Sequence, residues 1–485
     1  MNGTIDAVRG MRDVLPAEYS AQARIAARLE KALAHAGYQP IDLPLLERRD
    51  LYLRKLGEEL VGKVYEFSFN GRELALRPEW TASVLRAYVA RLQEQPLPLR
   101  LRYAGPVFRN ERPQRATYRQ FTQIGVELIG GPAPRADAEC VVLACAGLEA
   151  AGVNDYRVRV GHIGLVRAIL SSLGLPERTQ GILAWSLEQM RERGVDGIRE
   201  RLQLDEDELP ITILPEGISD QQAEALLLHA LGEIGVKLQF GTRPPEAIVR
   251  RLVRKLRRED QRPAIERALV LLKRLADIYG PPAKVLPQVA ALLDDYHLPT
   301  GELQELQAIL GLVAASGVPA EALVADFGLG RGLHYYTGAI FEIYAGDVQV
   351  CGGGRYDDLV GALGGRQPVP AVGFAYGLER VAQASTHTSG ADQRAPEVLV
   401  MPVDDATFPY AQRVAARLRE RGYIVTVDIR GRNIATNARD AARRGATALV
   451  VVDGAHEACG ELLWRNLATR EEHVMSIEVM PDART

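Results

Sequence analysis

Cysteine is scarce: Cys140, Cys145, Cys351 and Cys459 are the four in a chain of 485 residues. That is too few for a disulfide scaffold of this length, and no CxxC pair offers a structural zinc site. The usage fits reduced thiols, so a cytoplasmic chain is expected. The eight histidines form neither HxxxH nor HExxH, which leaves catalytic zinc without a ligand set. No stretch reaches the roughly 18 consecutive apolar residues of a helical membrane span. Met1 to Pro16 holds no apolar core of the kind a secretory leader needs. A dominant charge is also missing: 59 basic against 62 acidic residues leave a net charge of −3. A global basic coat for nucleic acid is excluded, though local basic patches are not.

What is present is an ordinary globular composition, 47% hydrophobic and 25% charged, in a chain long enough for about two to four domains. Ala21–Ala36 carries Ile25, Ala26, Leu29 and Leu33 at helical spacing and predicts an amphipathic helix. Strands are predicted at Gln39–Leu46, Glu73–Leu76, Leu99–Tyr103 and Phe121–Leu128, with a helix over Ala82–Leu92. Helices among non-adjacent strands point to an α+β core built on an antiparallel sheet rather than regular βαβ alternation. Residues 172–320 are rich in Leu, Ala, Glu and Arg and read as a mostly helical inserted domain, with a small strand pair near 210–214 and 236–240. The core resumes over 321–384, after a first part at 1–171. Ala339–Tyr344, the turn Ala345-Gly346-Asp347, and Val348–Cys351 predict a hairpin. A polar linker, Ser385–Ala395, leads to a β-α-β-α-β pattern in residues 396–485, a small α/β domain with a largely parallel sheet.

Candidate chemistry concentrates in a few segments. Gly57 to Val64 has the spacing of a phosphate loop, but Val64 stands where a Mg²⁺-binding hydroxyl is needed and two acids lie inside, so that reading is set aside. Arg109-Asn-Glu111-Arg112-Pro-Gln-Arg115 leaves an apolar strand. It is either a solvated loop or a phosphate-binding cluster with Phe121 as a flat face for a base. On a strand, Phe121, Gln123, Gly125 and Glu127 share one face. That face would suit an amino-bearing ligand, and a solvent-facing strand would give the same pattern. Gly328 to Gly338 holds Arg331 among glycines, where it could meet developing phosphate charge. Gly373 and Gly377, four apart, predict a helix close to the sheet with Arg380 on its next turn. His162, between glycines, reads as structural. Two basic patches stand out: Arg250 to Arg258, and Arg417 to Arg444, where eight arginines face three acids.

LALRPEWT (Leu74–Thr81), FRNERPQ (Phe108–Gln114), YRQFTQIGVE (Tyr118–Glu127), GRGLHYYTG (Gly330–Gly338), GGRYDDL (Gly353–Leu359) and PAVGFAYGLER (Pro370–Arg380) together resemble the histidyl-tRNA synthetase family of class II aminoacyl-tRNA synthetases. RGMRDVLP (Arg9–Pro16) resembles its start, and the last domain resembles its anticodon-binding domain. The resemblance implies a cytoplasmic homodimer that activates histidine with ATP and Mg²⁺ and charges tRNA(His). It implies Glu79, Thr81, Gln123, Glu127, Tyr335 and Tyr336 as histidine-binding residues, with Arg109, Glu111, Phe121 and Arg380 on ATP. Arg109 and Arg331 would be catalytic at the α-phosphate. Trp80 stands where the family usually has Gly. GVELIGG (Gly125–Gly131) and GHIGLVRAIL (Gly161–Leu170) resemble instead the paralogous regulatory subunit of ATP phosphoribosyltransferase. That alternative would bind histidine as a signal, partner the catalytic subunit of that enzyme, and charge no tRNA. It normally lacks the C-terminal domain.

Overall fold

The computed structural model describes residues 5–53, 62–111, 118–202, 219–233, 249–250, 253, 262–330, 335–386 and 395–483. The chain forms two compact units, residues 1–388 and 389–485. The described strands are β1 (Gln39–Pro40), β2 (Leu46–Arg48), β3 (Glu66–Phe69), β4 (Arg72–Leu76), β5 (Leu99–Phe108), β6 (Gln120–Ile129), β7 (Arg157–His162), β8 (Tyr279–Gly280), β9 (Leu323–Asp326), β10 (Ala339–Ala345), β11 (Val348–Arg355) and β12 (Ala371–Gly377) in the first unit. The second holds β13 (Glu397–Pro402), β14 (Ile424–Val427), β15 (Ala448–Val452), β16 (Glu461–Asn466) and β17 (Glu472–Ser476).

Nine strands of the first unit make one sheet in the order β1-β5-β6-β12-β11-β10-β7-β9-β8, and β2-β4-β3 form a small separate sheet. From β5 to β7 every neighbour is antiparallel. The α+β antiparallel core expected from the scattered strand signals is what forms. Only the margins depart from it, where β1 runs parallel to β5 and β9 parallel to β7. The predicted hairpin is β10–β11, turning at Ala345 and Val348.

The helix Pro16–His35 buries Gln22, Ile25, Leu29 and Leu33, the stripe its periodicity requires. It contacts the helices Arg135–Ala150 and Leu378–Ala384 on one face of the sheet. Arg355 at the end of β11 ties strand to helix. Its Nε donates to both oxygens of Asp137, at 3.0 and 3.1 Å, and its Nη1 to Asp357 at 3.0 Å. Arg355 and Asp137 are both buried, and each supplies the partner that makes burying the other tolerable.

Three local expectations need correction. Gln39–Leu46 is not one strand; Pro40 and Pro44 interrupt it, leaving β1 and β2. The helix over Ala82–Leu92 is α-helical only from Thr81 to Ala87 and continues as a π-turn, Tyr88–Leu92. Residues 373–377 are not helical: they belong to β12, and the helix with Arg380 starts at Leu378. Spacing of four glycine-separated residues does not distinguish helix from a strand buried on both faces.

The described part of 172–320 is helical, with Glu177–Trp185, Leu187–Arg193, Arg262–Ala276, Pro282–Asp295 and Gly301–Ala315. Its Leu187, Met190, Leu272, Leu306 and Leu310 join the same buried cluster as the sheet. It also adds β8 to the sheet edge. The strand pair expected at 210–214 and 236–240 lies outside the described residues, as do Gly57 to Val61 of the phosphate-loop candidate and all of the Arg250–Arg258 run except Arg250 and Val253.

The second unit has the order β14-β13-β15-β16-β17, with β14, β13 and β15 parallel and the rest antiparallel. Alternation along β13 and β15 feeds two cores. Val398, Val400, Val450 and Val452 pack with the helix Phe408–Glu420 through Tyr410, Val414 and Leu418. Leu399, Met401, Leu449 and Val451 pack with Ala441 of the helix Ile434–Arg443. Among the described residues no helix is long and apolar enough to cross a membrane.

Candidate active site

β6 carries the site along its length. Its first residues are partly exposed and its last six are buried, so one strand face runs from an open cleft to a closed floor. At the open end Phe121 and Gln123 line a cavity of about 240 Å³ with Arg109, Glu111, Tyr118, Glu379 and Arg380 among its walls. At the closed end lies Glu127, with 0% of its surface exposed.

A buried carboxylate needs donors, and Glu127 has three hydroxyls. Thr81 Oγ1 donates to Oε1 at 2.7 Å, Tyr103 OH donates to Oε1 at 3.1 Å, and Tyr356 OH donates to Oε2. Two glycines make room for this set. A Cβ on Gly125 would meet the Tyr103 hydroxyl at 2.7 Å, and one on Gly373, opposite Glu127 in the ladder, would overlap Glu127 Oε2. Tyr335 meets Tyr356 edge-on and Tyr336 meets it at a tilt, with ring centroids 5.7 and 6.4 Å from it.

Glu79 is the second buried carboxylate. Its Oε1 accepts from the Ala82 amide at 2.9 Å, while its Oε2 has no hydrogen-bond partner among the described residues. Gln123 Oε1 is a third buried acceptor with none. Burial raises the pKa of Glu79 and pushes that of Glu127 well above the ordinary carboxylate range; the nearby Glu79 charge adds to the second shift. Burial likewise lifts Tyr103 and Tyr335. The floor is thus a set of acceptors, two of whose oxygens have no partner among the described residues, which suits a ligand that brings donors and positive charge.

The cleft has the opposite character. Arg109 Nε donates to Pro78 O at 2.8 Å and its guanidinium lies 5.3 Å from the Phe121 ring centroid. Its charge also reaches Glu79, favouring that carboxylate's ionised form. Arg380 Nη1 donates to Gln349 O at 3.2 Å. Glu111 faces Lys63 Nζ at 3.7 Å. Arginines beside an aromatic face suit phosphates and a base.

The structure therefore brings Glu79, Thr81, Glu127, Tyr335 and Tyr336 to the floor, and Arg109, Glu111, Phe121 and Arg380 to the cleft, with Gln123 on the cleft wall between them and its Oε1 buried. Arg331 lies outside the described residues, as do Arg112 to Thr117. The reading of residues missed Tyr103, Tyr356 and Glu379. Tyr356 and Glu379 stand inside the motifs GGRYDDL and GFAYGLER, and Glu379 accepts from the Thr122 amide at 2.9 and 3.1 Å. Only the sheet register could have found Tyr103. His162 is structural: its Nδ1 accepts from Leu165 N at 3.1 Å and caps the helix Ile163–Ser172. No cluster of three or more metal-ligating side chains occurs among the described residues.

In the second unit Asp428, Arg430, Arg432, Asp440, Arg443 and Arg444 line a cavity of about 510 Å³.

An antiparallel sheet with this cleft, plus a separate α/β unit, is the architecture of the class II aminoacyl-tRNA synthetases. A crystal structure titled as an ATP phosphoribosyltransferase regulatory subunit/histidyl-tRNA synthetase from Bacillus halodurans has a TM-score of 0.66 at 22% identity, covering 94% of this chain and 100% of that one. The histidyl-tRNA synthetase of Nostoc has a TM-score of 0.63 at 20% identity, covering 99% and 98%. The histidyl-tRNA synthetase family pattern matches residues 10–240 and 241–381, and that of the anticodon binding domain matches 397–483. The histidine–tRNA ligases of Methanocaldococcus jannaschii and Archaeoglobus fulgidus are 31% and 32% identical; the first match covers 97% of both chains and the second 98% of both. The chain belongs to the histidyl-tRNA synthetase family.

The raised pKa of Glu127 has a sign that can be tested. Stability from the neutral form is complete below the ordinary carboxylate pKa and is lost as pH rises through the raised one. Glu127→Gln cannot ionise, so the ligand-free variant should melt above the wild type at neutral and alkaline pH, and the difference should close in acid. Thermal denaturation across pH reads this, and a constant difference would be the contrary result.

Proposed function

We propose that the protein is a histidine–tRNA ligase. It activates histidine with ATP and transfers the histidyl group to tRNA(His). The observation that carries this reading is the change of character from floor to mouth: buried oxygens of Glu79 and Gln123 without partners among the described residues, and the Glu127 carboxylate, lead out to a cleft with Arg109, Phe121 and Arg380. Full-length similarity to curated histidine–tRNA ligases supports it.

In this reading Glu79, Thr81 and Gln123 take the α-ammonium group, and Glu127 with Tyr335 and Tyr336 faces the imidazole. Phe121 stacks on adenine with Glu111 at its edge, and Arg380 meets the γ-phosphate. Arg109 holds the histidine carboxylate against the α-phosphate, with Arg331 as a second cation. A carboxylate oxygen attacks the α-phosphorus in line, the new O–P bond forms, and the bond to pyrophosphate breaks. No proton has to move, so placement and charge neutralisation supply the rate. In the second step a tRNA ribose hydroxyl attacks the acyl carbon, the acyl–phosphate C–O bond breaks, and AMP leaves with its phosphate taking the hydroxyl proton. Mg²⁺ supplies further neutralisation of phosphate charge when bound. Glu379 is the cleft carboxylate that would hold it, and phosphates and water would complete the hard-oxygen shell.

Purified protein should catalyse histidine-dependent ATP–pyrophosphate exchange, and Arg331→Ala should abolish exchange while sparing histidine binding. Histidine binding without exchange, together with stimulation of a short ATP phosphoribosyltransferase, would move the protein to the regulatory reading. The family pattern over 397–483 favours the synthetase.

The arginine-lined cavity of the second unit is proposed to hold RNA phosphates and bases. Replacing Arg443 and Arg444 together with Ala should cut aminoacylation severalfold and flatten its salt dependence, leaving exchange unchanged; equal loss of both activities would contradict this. A homodimer is proposed on the exposed apolar side chains of the small sheet, Leu46, Phe67 and Phe69. Sedimentation should then read twice the 53.2 kDa chain mass.

A further inference from the structure

We propose that Trp80 is a positioning residue for the histidine site, holding Tyr103 and Thr81 on Glu127. The inference rests on reading Glu127 as the carboxylate that meets histidine. Trp80 sits between Glu79 and Thr81 in the chain, and its side chain is 1% exposed. Its ring lies parallel to that of Tyr103, with centroids 4.8 Å apart and planes 10° apart. The Arg77 guanidinium is 3.5 Å from the indole centroid. Arg77 is itself fixed, with Nε donating to Pro106 O at 2.8 Å and Nη1 to Leu43 O at 2.9 Å. The indole Nε1 donates to Gly105 O at 3.4 Å. An anchored cation and an anchored backbone therefore hold the indole, and the indole limits where the Tyr103 ring can turn.

That restraint ends on the Glu127 carboxylate. Tyr103 OH and Thr81 Oγ1 both donate to Glu127 Oε1, and Trp80 reaches the first by stacking and the second by covalent connection. A carboxylate buried this deeply is ready for a cationic ligand only while its other donors stay in place. Trp80 is not among the residues lining the cleft with Arg109, Glu111, Phe121 and Arg380. Its loss should accordingly fall on histidine and leave ATP alone.

The test uses the full chain and pyrophosphate exchange. Trp80→Leu should raise KM for histidine about tenfold, the scale of one hydrogen bond to a charged group, with KM for ATP unchanged. Trp80→Phe keeps a flat ring and should restore near wild-type values. Tyr103→Phe keeps the stack, removes the hydroxyl, and should reproduce the histidine defect. The chain has three tryptophans, Trp80, Trp185 and Trp464, so histidine titration should change the wild-type indole emission and the change should vanish in Trp80→Phe. This readout stands even if Trp80→Leu fails to fold. A wild type that neither binds histidine nor supports exchange overturns the reading of the site itself. A wild type that does both overturns the role of Trp80 alone if Trp80→Leu keeps its KM for histidine or raises both KM values alike. An emission change unaltered in Trp80→Phe overturns it equally.

Discussion

Glu127 lies fully buried near the end of a ten-residue strand, where an isolated carboxylate would be strongly disfavoured. Everything around it answers that problem. The helix Thr81–Ala87 starts with a hydroxyl aimed at it, β5 contributes Tyr103, and the residue after β11 contributes Tyr356. Gly125 and Gly373 lack side chains where those groups need the space. The central sheet order, with β6 between β5 and β12, is what lets three separated stretches of chain converge on one oxygen pair.

The same strand face separates charge by depth. The two buried carboxylates lie at the floor, and the guanidinium groups of Arg109 and Arg380 lie at the mouth beside Glu111 and Glu379. An amino acid carries its ammonium group and its carboxylate on one carbon. In the proposed reading, an amino acid bound with its ammonium group at the floor points its carboxylate toward the arginines and any phosphate they hold. Orientation then comes from electrostatics already built into the sheet, without a general base. Two buried carboxylates with raised pKa values weaken the empty protein, a cost that functional sites commonly carry.

Much of this was legible in the residues. The stripe Ile25, Leu29, Leu33 marked its helix, and the alternation from Phe121 to Glu127 marked both a strand and a shared face. The β10–β11 hairpin and the β-α-β-α-β tail were visible from period and turn residues. Legibility failed where two structures share a pattern. Ala371–Gly377 is a strand buried between neighbours, and its apolar run with glycines four apart fits a helix as well. The π-turn at Tyr88–Leu92 leaves no mark in periodicity. Tyr103 looked like any strand aromatic, because its role comes from Gly125 on the next strand.

Residue types and their spacing along the chain determined the class of fold, the two separate units and most of the polar groups gathered at the candidate site, because those follow from local period and from motifs. Tertiary structure alone decided which groups meet. Tyr103, Tyr356 and Thr81 reach Glu127 only through strand register and helix placement. Burial, which no single residue possesses before the chain folds, raised the pKa values of two ordinary glutamates and left Gln123 and Glu79 each with an oxygen that has no hydrogen-bond partner among the described residues.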